Sequence, residues 1–480
     1  MLIYFKLSCR KNEFKLLHWN SSREFGELTQ CWTSGIRQIV GQNESCESLK
    51  MKTIRLKGGF AVTPHGVERT DIILRNGRIN LVSDGDECDQ VINVTGKYVM
   101  PGFIDIHFHG YNLFEFTSGL YDPKSETFDN SRSAYENGLN MLSKTLVRFG
   151  VTRFYVGTWA SPIANLKNCY AQLHRYLNKP ETQSGAKLLG GFLEGSFISP
   201  QMAGAQNPDY ALEFRPESFD RIADKGTIKL ANVAPDFGRA SYKLTEYLTA
   251  KGIVVGAGHT NATCEQIAEA TRAGLKYFIH FTNGPTGGSY KPFSGGGAIE
   301  AALKSDKLYA EQILDGYHVN PAYVRDILRR KGPDRIIGVT DCLFAAGSDI
   351  KEFSGGGIRG AVSENGNYFQ VVDKPGVLFS SNLTMDRGFA NLLNWLTVDM
   401  QGIWNRLHSA FSFEQALVTA AEILSTSPCA LTGLDRKGYG SIVGGAKADL
   451  CVLDIIGSPG AYKVTVESTV VDGDIVHSAK

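Results

Sequence analysis

The sequence lacks the features that would place it in a specialised class. Among its 480 residues, 50 basic side chains face 49 acidic ones. The formal charge of +1 gives no electrostatic case for a nucleic-acid or anionic-membrane partner. No apolar run approaches the ~18 residues that a membrane span needs. Nine cysteines (Cys9, Cys31, Cys46, Cys88, Cys169, Cys264, Cys342, Cys429 and Cys451) include no CxxC pair and no dense framework. That argues against a disulfide scaffold and fits a reducing compartment. Lys6 and Arg10 are near the start, but MLIYF is too short for the apolar region of a signal peptide, and no small-residue cleavage site follows. A cytoplasmic protein is expected. No GxGxxG opens a strand–helix turn. VGAGHT has the wrong spacing for such a loop, and its useful residue is the histidine.

What is present is ordinary globular material, 42% apolar and 21% charged, which excludes a disordered chain. The 52 glycines exceed the usual ~7% and suggest tight turns or loops that approach a ligand closely. Residues 1–50 show no clear period. They read as a poorly ordered extension upstream of Met51, with a small ordered addition as the alternative. From Met51 to Met100, IRLKGGFAV, RTDIILRNGRINLV and VINVTGKYVM alternate at period two, with turns at Asn76-Gly77 and Asp84-Gly85. Residues 436–480 have the same character, with a turn at Asp472-Gly473. A small β-sandwich domain built from 51–100 and 436–480 is therefore expected, because single hairpins are not stable alone. Between them, 101–435 alternates eight short apolar runs (FIDIHFH, TRFYVGT, LLGGFLEG, IKLANVAP, IVVGAGHT, YFIHFTN, YAEQILDG and RIIGVTD) with helical stretches. Eight such units predict an α/β fold, a (β/α)8 TIM-like barrel.

Five histidines fall at or just beyond predicted strand ends: His107, His109, His259, His280 and His318. Glu194 and Asp341 hold equivalent positions. In a barrel these ends surround the active site, so the side chains would converge. Imidazoles and carboxylates without cysteine suit a catalytic Zn²⁺ or Fe²⁺ with an open coordination position. His107 and His109, one residue apart on a strand, would share a face. HxH alone is a weak signal; the string PGFIDIHFHG and the later strand-end candidates strengthen it.

The strings PGFIDIHFHG, FLEGSFISP, GAGHTNAT, HFTNGP, ILDGYHVNP, GVTDCLFAAG, LTMDRGFANLL and GSIVGGAKADLCVLD occur in one order from Met51 onward. On these the chain resembles the amidohydrolase superfamily, most closely its N-acetylglucosamine-6-phosphate deacetylase family. The resemblance implies a metal-dependent hydrolase that deacetylates an amino-sugar phosphate. Glu194, His259 and His280 would hold the main divalent ion. His107 and His109 would build a second site, with Glu194 bridging, so one or two ions are expected, zinc first and Fe, Mn or Co next. Asp341 would be the catalytic base and then acid. His318 would contact the N-acetyl carbonyl. Ala205, Gln206, Asn283, Gly284, Leu378, Phe379 and Ser380 would line the sugar pocket, the last three in a loop before LTMDR. Relatives are typically homodimers.

Departures cluster at the substrate end. Gln206 replaces the usual histidine in GAHNP, Ser196 a proline, and HFTNGP the common HLFNAM. Lys291 stands where relatives often place a phosphate-gripping arginine, and lysine binds phosphate without a bidentate fork. An N-acetylgalactosamine phosphate, a non-phosphorylated sugar, or another amide such as an N-acyl amino acid stays open. A catalytically dead scaffold would be expected to lose metal ligands, and all of them are present. PTGGSYKPFSGGG and 348–376 read as long loops at the mouth.

Overall fold

Alternation decides the terminal segments. In Thr53–Lys57 the side chains of Ile54 and Leu56 are buried while Lys57 faces water. The computed structural model describes residues 53–81, 88–179, 183–283, 295–374, 376–405 and 407–479. The expected extension over 1–50, the Asp84-Gly85 turn, Gly284, Lys291 and most of PTGGSYKPFSGGG lie outside the described residues.

The terminal segments form two sheets. A four-stranded sheet contains Thr53–Lys57, Ile72–Arg75, Arg78–Leu81 and Gln90–Asn93. A six-stranded sheet joins both ends of the chain, with Tyr98–Pro101 antiparallel to Leu450–Ile456. Ile54, Leu56, Ile72, Leu74, Ile79, Val99, Leu450, Val452 and Val470 share one apolar core between them. Two hairpin turns have the left-handed backbone that Asn-Gly and Asp-Gly favour: Asn76 (φ 55°) with Gly77 (φ 69°), and Asp472 (φ 51°) with Gly473 (φ 90°). The turns meet. A Cβ on Gly473 would lie 2.7 Å from the Cα of Gly77, so the contact needs glycine at both positions.

All eight expected barrel strands form. We number them β1 (Phe103–Asp105), β2 (Val151–Gly157), β3 (Lys187–Leu193), β4 (Ile228–Asn232), β5 (Val254–Ala257), β6 (Leu275–Phe278), β7 (Tyr309–Ile313) and β8 (Ile336–Val339). Neighbours pair in parallel in that order. The sheet closes just past the strand ends, where Phe108 bridges Cys342 in parallel and the Asp341 N–H donates to the His107 carbonyl at 2.9 Å. Ile104, Tyr155, Phe192, Leu230, Tyr277, Ile313 and Ile337, from seven of the strands, share one interior cluster. Alternate residues such as Phe154 and Val255 join helix residues Leu142, Leu173, Leu244 and Ile267 in the larger core.

The helices start where the sequence provides caps. Ser131 accepts the Ala134 N–H ahead of Arg132–Leu146. Thr263 and Gln266 form a capping box for Cys264–Ala273, and Asn320 caps Pro321–Lys331.

The stretch 348–376 is not a long loop. It carries most of an antiparallel four-stranded sheet: Glu352–Gly355, Ile358–Val362, Tyr368–Val371 and Leu378–Ser381. Gly356 (φ 60°) and Gly357 (φ 80°) make a two-residue hairpin turn, and Phe353, Phe369 and Phe379 are buried. Leu378, Phe379 and Ser380 are consequently in a strand, which packs beside the chain leaving β8 through the Cys342–Ser381 bridge.

One buried charge joins the barrel to the C-terminal strands. Arg153 in β2 lies 2.7 Å from Asp449 and 2.5 Å from Asp472, and its guanidinium stacks 3.8 Å over the Tyr439 ring. Replacing it with Met should cost about 3–5 kcal/mol in chemical denaturation, because Asp449 would be left buried without its partner. Adding Asp449→Asn should recover part of that loss. A single variant as stable as the parent would show that the pair is not essential.

Candidate metal centre

The side chains singled out at strand ends converge. His107 and His109 follow β1, Glu194 follows β3, His259 follows β5, His280 follows β6 and Asp341 follows β8; all six are buried. Three of them have left-handed backbone: His259 (φ 49°), His280 (φ 27°) and Asp341 (φ 49°). Such conformations cost ~1–3 kcal/mol each and persist only where neighbours enforce them. Here the Asp341 N–H donates to the His107 carbonyl, and the His280 N–H donates to Glu311 Oε2 at 2.9 Å.

Glu194 is the hub. Its Oε1 lies 3.0 Å from His259 Nε2 and 3.3 Å from His280 Nε2. Its Oε2 lies 3.0 Å from His107 Nε2 and 3.1 Å from His109 Nε2. Asp341 Oδ1 is 3.1 Å from His109 Nε2 and accepts the Ser380 hydroxyl at 3.2 Å.

The opposite ring nitrogens explain this convergence. Nδ1 of His109 faces the Gly157 carbonyl at 3.3 Å, that of His259 the Met202 carbonyl at 3.1 Å, and that of His280 the Asn283 carbonyl at 3.2 Å. Nδ1 of His107 faces Glu311 Oε2 at 2.8 Å. All four partners are oxygen acceptors, so each Nδ1 carries a proton, and in the neutral ring Nε2 presents a lone pair. Four lone pairs then face a carboxylate, an arrangement that only positive charge reconciles. His107, His109 and Glu194 form one group, and Glu194, His259 and His280 another, each with ligand atoms close enough to hold a divalent ion. The donor set fits such a metal.

Protons can supply that positive charge as well as a metal can, and they compete for the same Nε2 atoms. Burial opposes charge at every one of these groups, but opposite charges override it. Glu194 is held well below the ordinary carboxyl range by His107, His109 and His259. Asp341 falls to about 2 beside His107 and His109. His107 rises well above the usual imidazole range against Glu311, Asp341 and Glu194, and His109 rises to about 9 against Asp341 and Glu194. The cluster attracts cations.

A cleft of about 790 Å³ opens over this cluster. Ala205, Gln206, Asn283, His318, Leu378 and Ser380 line it. Phe379 instead joins an aromatic group with Phe353 and Trp159 and lines a smaller neighbouring pocket of about 350 Å³. Gln206 turns toward the metal ligands. Its Nε2 donates to Glu194 Oε1 at 3.3 Å, and its Oε1 accepts the Ala160 N–H at 2.7 Å. His318 Nδ1 is paired with Asp315 Oδ2 at 2.6 Å, while its Nε2 is buried without a protein partner. Sequence reasoning missed Asp315 and Glu311. Asp315 could have been found from its i,i+3 spacing to His318; nothing local distinguishes Glu311 in YAEQI.

No protein-family model matches the sequence. Curated relatives do. N-acetylglucosamine-6-phosphate deacetylase from Vibrio furnissii is 28% identical over 334 residues, 68% of this chain and 77% of that protein. The Homo sapiens enzyme of the same name is 27% identical over 427 residues, 86% of this chain and 92% of that one. Among solved structures, a mutant N-acetyl-D-glucosamine-6-phosphate deacetylase from Mycobacterium smegmatis, in complex with N-acetyl-D-glucosamine-6-phosphate, matches with a TM-score of 0.70. It is 21% identical, covers 89% of this chain and 99% of its own, and shows the shared fold. The resemblance read from the motifs is therefore the one that both comparisons show: this chain is similar over most of its length to N-acetylglucosamine-6-phosphate deacetylases and shares their fold.

Proposed function

We propose that the chain is a metal-dependent hydrolase that converts N-acetylglucosamine 6-phosphate to glucosamine 6-phosphate and acetate. One observation carries this reading: four imidazoles, each with Nδ1 engaged, turn Nε2 onto the two oxygens of Glu194, with Asp341 beside them at the floor of an open cleft. A divalent ion held by Glu194, His259 and His280, with a second at His107 and His109, would polarise the acetamide carbonyl and acidify a water.

The chain's own groups do the rest. Asp341 accepts the proton of the attacking water as the new C–O bond forms. It returns that proton to the amine nitrogen as the C–N bond breaks. Its aim is fixed by the Ser380 hydroxyl and by its backbone bond to His107. His318, held through Nδ1 by Asp315, turns Nε2 to the acetamide oxygen; in its protonated form it donates a hydrogen bond to the developing oxyanion. Ala205, Asn283, Gly284, Leu378 and Ser380 border the sugar, and Lys291 holds the phosphate.

Gln206 favours a second reading of the sugar alone. Both ends of its amide are engaged by Glu194 and Ala160, which leaves the sugar without the polar partner this position offers in relatives. An N-acetyl hexosamine other than N-acetylglucosamine is that alternative. We take the ion to be zinc and the working unit to be a cytoplasmic homodimer. Among the described residues no helix is long and apolar enough to cross a membrane. Residues 51–100 and 436–480 serve as one small β-sandwich domain supporting the barrel of 101–435.

Acetate release from a panel of N-acetyl hexosamines, with and without 6-phosphate, tests the substrate. Lys291→Ala should raise KM for the phosphorylated sugar more than for its plain analogue; an equal effect on both would place the phosphate elsewhere. His259→Ala or His280→Ala should abolish the tightly bound ion and turnover together, read by metal analysis, because an open site has few ligands to spare. Full metal content with normal turnover would remove the assignment. Asp341→Asn should keep fold and metal yet lose ~10²–10⁴-fold in kcat with little change in KM, as expected for a proton carrier. Turnover within a few-fold of the parent would pass the role to another base.

A further inference from the structure

Glu311 stands apart among the groups behind the metal ligands. It lies in β7 two residues before Ile313, so it shares the interior-facing side of that strand, and it is fully buried. Its Oε2 accepts from two places at once, His107 Nδ1 at 2.8 Å and the backbone N–H of His280 at 2.9 Å. One oxygen thereby connects the two candidate ion positions. The neighbouring Gln312 reinforces the link, donating to the Phe281 carbonyl at 3.1 Å, while the Phe281 N–H donates to the Glu311 carbonyl at 2.9 Å. Together these bonds hold the left-handed turn at His280.

Backbone carbonyls suffice to orient His109, His259 and His280. His107 alone receives a carboxylate, which fixes the ring tautomer and makes Nε2 a stronger donor to a metal. It also adds charge. Glu194, Asp341 and Glu311 place three buried carboxylates around one centre, more than a single divalent ion neutralises.

We propose that Glu311 is the positioning residue of the HxH site: by orienting His107, it equips the His107–His109 pair to hold a second divalent ion. This rests on the metal-dependent hydrolase reading and assigns a residue which that reading does not use.

The test compares the full-length protein with Glu311→Gln and Glu311→Leu. Gln keeps the acceptor oxygen and removes the charge; Leu removes both. Each protein is stripped with a chelator and titrated with Zn²⁺ by calorimetry, with bound metal counted by elemental analysis. The parent should take up two ions per chain. Glu311→Gln should bind the second about 10-fold more weakly and Glu311→Leu about 100-fold, the range seen when a metal ligand loses its supporting partner. The first ion should be held much as before in Glu311→Gln. Should Glu311→Leu fail to fold, Glu311→Gln decides alone. Unchanged affinity for the second ion would overturn the inference. So would an equal weakening of both ions, which marks a merely structural role. A parent that binds one ion would also sink it while leaving the hydrolase reading intact; a parent that binds none would sink that reading itself.

Discussion

Four imidazoles and two carboxylates cannot share a buried cluster without positive charge, carried by the rings as protons or held between them as a metal ion. That constraint organises the centre of this molecule. Burying such groups is costly, and the surrounding structure is arranged to impose it. Each Nδ1 is occupied by an oxygen acceptor, which leaves Nε2 no direction but inward. Three of the clustered residues, His259, His280 and Asp341, have unfavourable backbone angles for the same end. Such a set of donors, gathered around one carboxylate, could hold a divalent ion.

The barrel provides the rigidity. Its seam is built from the site residues' own backbone, with Asp341 bonded to His107 and Asp105 accepting the Thr340 hydroxyl at 2.6 Å. Burial pushes the Asp105 carboxyl up to about 7, and the Thr340 and His107 bonds partly oppose this. The seam therefore relies on hydrogen bonds rather than on a solvated charge. The antiparallel sheet over 352–381 then brings Ser380 to Asp341, so this border of the cleft is strand rather than loop.

Much of this was legible in the sequence because it rests on short-range pattern. Period-two alternation marked the terminal strands, and eight apolar runs marked the barrel. Histidines and acids immediately after those runs marked the site, since a barrel gathers its strand ends on one face. What escaped had long-range causes. Glu311 reads as an unremarkable strand residue; its importance arises from a neighbour 204 positions away in the chain. Gln206 stood at a position associated with substrate, yet its amide turned to Glu194 and Ala160 because a buried amide must satisfy both its ends. The stretch 348–376 was expected as a long loop, whereas Gly356 and Gly357 make a hairpin turn within a sheet. Phe379 was placed at the sugar, and its apolar ring went instead to the aromatic group around Trp159.

The shared six-stranded sheet also governs how the protein is made. Tyr98–Pro101 has Phe60–Thr63 on one side from the start, but its other edge pairs only with Leu450–Ile456. The Cys451 thiol reaches the Pro101 carbonyl across 350 positions of chain. At a synthesis rate of roughly 5–20 residues per second, the ribosome delivers that partner about 20–70 s later. Throughout that interval the nascent chain presents an open apolar strand edge, the feature most prone to pairing with another molecule. The pairing that covers this edge therefore waits on a segment some 350 positions further along the chain.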